Sequence, residues 1–170
     1  MSESILEQLA VWHLAAINGI TVANGYHQDL VGSRSEEEFI DGDALRDMSV
    51  LCALSAADDA VRKESETLDN TGAKIIWWQR FDAFVHVLGR GTTALAVDNR
   101  ITRSVADIQK RIGIERAALR TNAGKCCGGL AQWIDLLPWE IGVSPIAICT
   151  VVNVPVVIRF EVDANNPYSS

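Results

Sequence analysis

The stretch NGYHQDLVG, residues 24–32, brings a tyrosine, a histidine and an aspartate close together. On a strand, His27 and Asp29 would point to the same side, so the carboxylate could hydrogen-bond to the imidazole. Such a pair is the beginning of an acid–base site, but catalysis also needs a nucleophile or a second acid in the same constellation. The neighbouring sequence offers neither. The alternative is that Tyr26, His27 and Asp29 are polar residues at the edge of a strand.

Other motifs of catalysis or ligand binding are not found in the sequence. It has no Walker loop, G-x-G-x-x-G, G-x-S-x-G or H-E-x-x-H. The cysteines are Cys52, Cys126, Cys127 and Cys149, without a C-x-x-C spacing, and the three histidines are not spaced as zinc ligands. We expect reduced thiols, with Cys126 and Cys127 in a tight, exposed turn because glycines follow them. We therefore expect no catalytic residues, no metal site and no cofactor.

Composition limits the class of protein. The chain has 170 residues, 48% of them apolar, and a net charge of −7, which suits one domain over residues 1–170. An acidic chain without a dense basic run is a poor candidate for general duplex binding, because that affinity comes mainly from neutralising phosphates. The N-terminus lacks the cationic region of a secretory signal, and no apolar run reaches the ~18 residues of a membrane span. We expect a soluble protein.

Apolar periodicity predicts two helices. From Glu3 or Ser4 to about Ile17, apolar residues recur with the period of 3.6 residues that marks an amphipathic helix. A second helix is predicted from Thr92 or Thr93 to about Ile112, where Gly113 would end it. Arg103 lies off the apolar stripe of this second helix.

Strands are predicted between and after the helices. Asn24-Gly25 reads as a turn between short strands at 20–23 and 26–31, and 48–54 as a central strand. The longest strand covers 74–88, with Trp78 and Arg80 on its half-polar face. Two further strands are predicted at 145–152 and 154–163, whereas 114–142 has no clear pattern.

The charged residues 56–72 predict a long hairpin arm, because a loop of this length is unusual inside a domain. Asp58 and Asp59 lie in it. The predicted fold class is α+β: an antiparallel or mixed sheet of four or five strands, with two helices packed on one face and the long charged hairpin arm.

The order of these features resembles a known family. A helix, ILEQL…LAAINGIT, leads into NGYHQDLVG and a charged loop, and an aromatic strand, WWQRFDAFVHVLG, follows. The helix TTALAVDNRITRSVADIQKRIG and the closing strand VVIRFEVDANNPYS complete the pattern. Together they resemble the tail terminator (tail completion) proteins of long-tailed double-stranded DNA phages, and the related minor tail and neck proteins. The resemblance covers most of the chain and is weakest over 56–72 and 114–142.

The resemblance implies a structural virion subunit that assembles with itself into a ring, usually a hexamer. The ring would cap the head-proximal end of the tail tube, stop polymerisation of the major tail tube protein and offer a joining surface to head completion or connector proteins. DNA would pass through its lumen without specific binding, and no membrane would be involved. The protein would assemble in the host cytoplasm and lie in the neck region of the virion tail. The family has no catalytic residues to transfer.

Aromatic and charged side chains are the best sequence candidates for contacts with a neighbouring subunit or partner. They are Tyr26, His27, Asp29, Asp58, Asp59, Trp78, Arg80 and Arg103. Three alternatives stay open: another neck component, such as a head completion or connector protein that binds the portal; a small enzyme that uses Tyr26, His27 and Asp29; and a stand-alone binding module.

Overall fold

A computed structural model of the chain describes residues 3–34, 47–55, 60–69, 72–89, 93–143 and 149–164. These ranges contain two α-helices, α1 (Ile5–Asn18) and α2 (Ala94–Ala118), and two short 3₁₀-helices, Val22–Asn24 and Cys127–Gly129. They also contain eight strands of one mixed sheet. The strands are β1 (Val31–Ser33), β2 (Ser49–Leu54), β3 (Val61–Asp69), β4 (Gly72–Leu88), β5 (Trp133–Leu136), β6 (Glu140–Val143), β7 (Cys149–Asn153) and β8 (Val156–Asp163). The α+β class is confirmed.

Both helices begin at a side-chain cap. The Ser4 hydroxyl accepts the Glu7 N–H at 3.2 Å, and the Thr93 hydroxyl accepts the Ala96 N–H at 3.2 Å. The second helix does not stop at Gly113 as predicted but continues to Ala118. Interior glycine costs about 1 kcal/mol relative to alanine. An ion pair across it, Arg111 to Glu115 at 2.7 Å, helps the helix continue.

The long strand β4 is the centre of the sheet. One half of it pairs with β3 on one side and β8 on the other, and the other half pairs with β2 and β7. Strand β5 lies beside β8, and β6 lies beside β7. Strand β1 pairs with β2 in parallel, whereas the other pairs are antiparallel. Among the described strands, β1 and β3 therefore form one margin of the sheet, and β5 and β6 form the opposite margin.

The sheet is larger than predicted, with eight described strands instead of four or five. The charged arm is not confirmed, because 61–69 forms β3, which pairs with β4 from Val61 opposite Gln79 onwards. Charge misled the prediction because an edge strand can carry charged side chains on its solvated side. The predicted strand at 20–23 is also wrong, since Val22–Asn24 is a 3₁₀-helix. Strands β5 and β6 come from the segment without a clear pattern.

The core lies between the helices and one face of the sheet. Alternation along β4 places four fully buried residues on this face: Phe81, Ala83, Val85 and Val87. Leu9 and Ile17 of α1, and Ile101 and Ile108 of α2, belong to the same cluster. Both helices therefore cover this face. Neither of the described helices combines the length and apolar character needed to cross a membrane.

Candidate functional site

The loop that carries Tyr26, His27 and Asp29 is not a strand edge. Gly25 ends the 3₁₀-helix in the left-handed region, with φ of 83°, and β1 begins only at Val31. Tyr26 is buried, and the Lys110 ammonium lies 4.8 Å from its ring centroid. Asp29 accepts the Val22 N–H at 2.7 Å. The strand-edge interpretation of these residues is wrong because the chain turns here to reach α2.

The partner of His27 is Asp107 of α2 rather than Asp29. Nδ1 of His27 lies 2.8 Å from Oδ1 of Asp107. The same carboxylate, which is fully buried, accepts the backbone N–H of His27 at 3.0 Å and that of Gln28 at 3.1 Å. The Gln28 amide then donates to the Ser104 hydroxyl at 2.9 Å. Sequence reasoning missed Asp107 because it lies 80 residues from His27 and carries no local signal.

This histidine–aspartate pair could have either a catalytic or a structural role. The His27 side chain is 62% exposed, so its other nitrogen has the access to solvent that a general base needs. Buried carboxylates, however, require hydrogen bonds, and the two backbone N–H donors explain the burial of Asp107 without any catalytic role. Among the described hydrogen bonds, the imidazole contacts only Asp107. The pair is therefore best explained as an anchor that fastens the loop to α2.

Trp78 lies on the sheet face opposite the helices and is hydrogen-bonded within the chain. Its indole N–H donates to Glu64 Oε2 at 2.6 Å, and Glu64 occupies the register shift in β3. Nε of Arg159 donates to the same oxygen at 2.6 Å, and Nη2 donates to Oε1 at 3.1 Å. The hydrogen bond from Arg159 is the main reason why the pKa of the Glu64 carboxyl is lowered.

The polar network continues across the sheet. Arg159 also donates to the side-chain oxygen of Gln132, whose amide donates to Glu161 at 3.1 Å. Glu161 accepts Lys74 Nζ at 2.7 Å, and this bond is the main reason why the pKa of its carboxyl is lowered. Because Arg159 also binds Glu64, the network extends from Glu64 in β3 to Gln132, which immediately precedes β5. The polar side chains around Trp78 are therefore hydrogen-bonded within the chain.

The other predicted contact residues differ in their surroundings. Nε of Arg80 donates to Asp82 at 2.9 Å, and this aspartate also accepts the Asn153 amide at 3.1 Å. Arg103 is exposed on α2. Asp58 and Asp59 lie outside the described residues. The structure thus does not bring the predicted contact residues together into one surface.

The margin formed by β5 and β6 exposes large apolar side chains. Trp133 is 39% exposed, Trp139 is 44% exposed and Ile141 is 56% exposed. Leu137, between the two strands, is also exposed. No described strand pairs with the outer side of β5 or β6. The two tryptophans in LAQWIDLLPWEIG were the available sequence signal for this surface, but the segment showed no strand pattern that would have aligned them.

A cleft of about 570 Å³ lies between the end of α2 and β5. Its lining residues are Gly113, Arg116, Ala117, Leu119, Arg120 and Trp133. The Arg116 guanidinium lies 5.3 Å from the Trp133 ring centroid, and Nη1 donates to Asp135 at 3.0 Å. The described ion pairs do not include Arg120. Two guanidinium groups beside an indole form a site suited to an anionic ligand with an apolar side chain.

The vicinal cysteines are buried, so the exposed turn predicted for them is wrong, although the tight loop is present. Cys127 has φ of 53°, and Gly128 and Gly129 follow with φ of 70° and 94°. The Cys127 N–H donates to Glu115 at 2.9 Å. The Cys127 thiol donates to the Cys126 sulfur at 3.7 Å, which lowers the pKa of Cys126 and raises that of Cys127.

No group of three or more histidine, cysteine, aspartate or glutamate side chains in the described part of the chain is arranged to hold a metal ion. No protein-family model matches the sequence, and no curated protein matches it.

Proposed function

We propose that this chain is a structural virion subunit of a long-tailed phage, which assembles with itself into a ring that caps the head-proximal end of the tail tube. The observation that carries the proposal is the exposed apolar margin formed by β5 and β6, with Trp133, Trp139 and Ile141. Exposed aromatic side chains on an unpaired sheet margin mark a surface for association. The polar face around Trp78 is satisfied internally, so the margin is the better candidate.

In the proposed ring, the margin of β5 and β6 of one copy contacts the margin of β1 and β3 of the next copy. The margin of β1 and β3 differs from that of β5 and β6 in sequence, so contact between the two margins joins unlike surfaces. A repeated contact between unlike surfaces closes into a ring when the rotation is suitable. Ring closure would remove both margins of every subunit from water.

The resemblance to tail terminator proteins supplies the biological role. The ring ends polymerisation of the major tail tube protein and offers its other side to head completion or connector proteins. Self-association and display of surfaces are sufficient for this role, and it needs no catalytic step. The net charge of −7 is compatible with passing DNA, because a like-charged lumen does not hold phosphates.

The test is the mass and shape of the assembly. Native mass spectrometry and negative-stain images of the purified protein, alone and with the major tail tube protein, should show closed rings, with six copies as the expected number. Particles that lack the chain should carry abnormally long tails. A strict monomer in both samples would overturn the proposal. Leaky heads with tails of normal length would instead favour a head completion or connector component.

A further inference from the structure

We propose that the acid-rich segment 35–46 of one copy binds the cleft between α2 and β5 of the next copy. This inference rests on the proposed ring and names the two surfaces that link its subunits. The cleft is lined by described residues, and the occupant is identified from its sequence and from the places where it leaves and rejoins the fold.

The cleft provides positive charge in an acidic protein. Arg116 lies in the last turn of α2 and Arg120 in the turn that follows the helix, and both are exposed, although the chain as a whole carries a charge of −7. Asp135 neutralises Arg116 in part, at 3.0 Å, and the described ion pairs leave Arg120 available. Trp133 and Leu119 add apolar surface. The site therefore suits a peptide in which carboxylates flank an apolar or aromatic side chain.

The segment 35–46 has this composition. It reads SEEEFIDGDALR and contains five carboxylates and one arginine. The apolar pair Phe39-Ile40 has Glu36, Glu37 and Glu38 before it and Asp41 immediately after it. Carboxylates can pair with the two guanidinium groups, while Phe39 can contact the indole of Trp133.

A copy cannot fill its own cleft with this segment. The segment joins β1 to β2, so it leaves and re-enters the fold at the margin opposite β5. The order β1-β2-β4-β8-β5 separates β1 from β5 by four strand spacings, or roughly 19 Å at about 4.8 Å each. Along β4 the two strands are also offset by six residues, because Ser33 lies level with Phe84 and Trp133 lies level with Trp78, which adds roughly 20 Å at about 3.4 Å each. The straight-line separation is therefore about 28 Å, whereas twelve residues that must go out and return reach only about 20 Å even when fully extended. Any real path must also pass around the sheet and helices.

A second copy has no such restriction. Each subunit offers an acidic segment at one margin and a basic cleft at the other, so one copy can bind the next in a head-to-tail order. In a closed ring, every cleft is filled and every segment is bound. The contact should also weaken with salt, because both surfaces are solvent-exposed before assembly.

Charge reversal on each surface tests the proposal. One variant carries Arg116→Glu and Arg120→Glu, and the other carries Glu36→Lys, Glu37→Lys and Glu38→Lys. Each variant alone places like charges at the contact, so the protein concentration needed for rings should rise at least tenfold. An equimolar mixture restores opposite charges at every contact of an alternating ring, so assembly should return. Asp98→Lys reverses an exposed charge on α2 outside the cleft, so it is the control and should assemble as the wild type does.

The outcomes separate this inference from the proposed function. If the wild type forms rings and both charge-reversed variants form them equally well, or if mixing restores nothing, the inference is wrong while the ring stands. If the wild type is monomeric, the ring proposal fails, and a direct titration decides the inference. A synthetic peptide of residues 35–46 should bind the folded protein in calorimetry, and binding should weaken at least tenfold in Arg120→Glu. Absence of binding, or equal binding to both proteins, overturns it.

Discussion

The imidazole of His13, on α1, lies in the core. It is 2% exposed, its ring centroid lies 5.6 Å from that of Phe81, and its Nε2 has no hydrogen-bond partner among the described residues. Burial lowers the pKa of His13 to about 4, although the charge of Asp82 opposes the shift. The folded protein therefore holds this histidine neutral under conditions in which the unfolded chain would protonate it.

The sign and size of the effect follow from this difference. The ordinary pKa is 6.5. Between pH 6.5 and about 4, the unfolded chain binds more protons at this site, so the free energy of unfolding falls as the pH falls through this window. At 1.36 kcal/mol per pKa unit, the full loss is about 3.4 kcal/mol below pH 4. Lowering the pH from 7.5 to 5.0 should remove about 2 kcal/mol.

The test is denaturant unfolding of the wild type and His13→Leu at pH 7.5 and 5.0. Leucine has a similar size and cannot be protonated, so the loss of stability between the two pH values should be about 2 kcal/mol smaller in the variant. Some loss should remain, because burial also lowers the pKa of half-buried His86. Protein concentration must be held constant, since self-association adds to the apparent stability. Equal losses in the two proteins would refute the argument.

Three further predictions concern the loop anchor, the exposed margin and two glycines. Asp107→Ala leaves two part-buried N–H groups without their acceptor and should lower the free energy of unfolding by about 2 kcal/mol. His27→Ala, at an exposed side chain, should cost less than about 1 kcal/mol. Equal losses of the two variants in denaturant unfolding would contradict the anchor. Trp139→Ser should raise the protein concentration needed for assembly at least tenfold, as measured by light scattering, because a central aromatic contact is commonly worth more than ~1.4 kcal/mol. The unfolding midpoint of the dilute protein should not change. Unchanged assembly would exclude Trp139 from the interface. Gly113→Ala should stabilise the protein by about 1 kcal/mol, because the residue lies inside a helix and a Cβ there meets nothing within 4 Å. Gly128→Ala, at φ of 70°, should destabilise the protein by about 1 kcal/mol. Shifts of the melting temperature with the same sign would show that backbone conformation does not determine the effect of alanine at these two glycines.

Local patterns predicted the elements whose stability is largely local. The apolar stripe and the Ser4 cap identify α1, and the alternation of β4 correctly separates its core face from its polar face. Strand β3 shows where such patterns fail. Its charged sequence resembles a solvated loop, and it is a strand because β4 provides hydrogen-bond partners along one side. Pairing of this kind depends on the partner strand and leaves little trace in the sequence of β3 itself.

The candidate site was less predictable than the fold, because its contacts join distant parts of the chain. His27 meets Asp107 across 80 residues, and Glu64 meets Arg159 across 95 residues. The sequence around Asp107 or Glu64 does not show whether the carboxylate accepts hydrogen bonds within the protein or is exposed to solvent. The sequence correctly indicated that His27 hydrogen-bonds to an aspartate. It pointed to Asp29 instead of Asp107, because without a fold only residues close in sequence can be proposed as partners.

Trp78 and Trp139 show why exposure and hydrogen bonding must be considered together when an interface is sought. Both tryptophans are at least partly accessible, and sequence reasoning favoured Trp78 because a large aromatic on the second face of a strand needs a partner. The chain supplies that partner itself, since Glu64 accepts the indole N–H and binds Arg159 at the same time. Binding another protein through this face would compete with contacts that are already made. Trp139, 44% exposed beside an unpaired strand margin, has more surface to bury, so association through β5 and β6 gains apolar contacts without breaking the polar network.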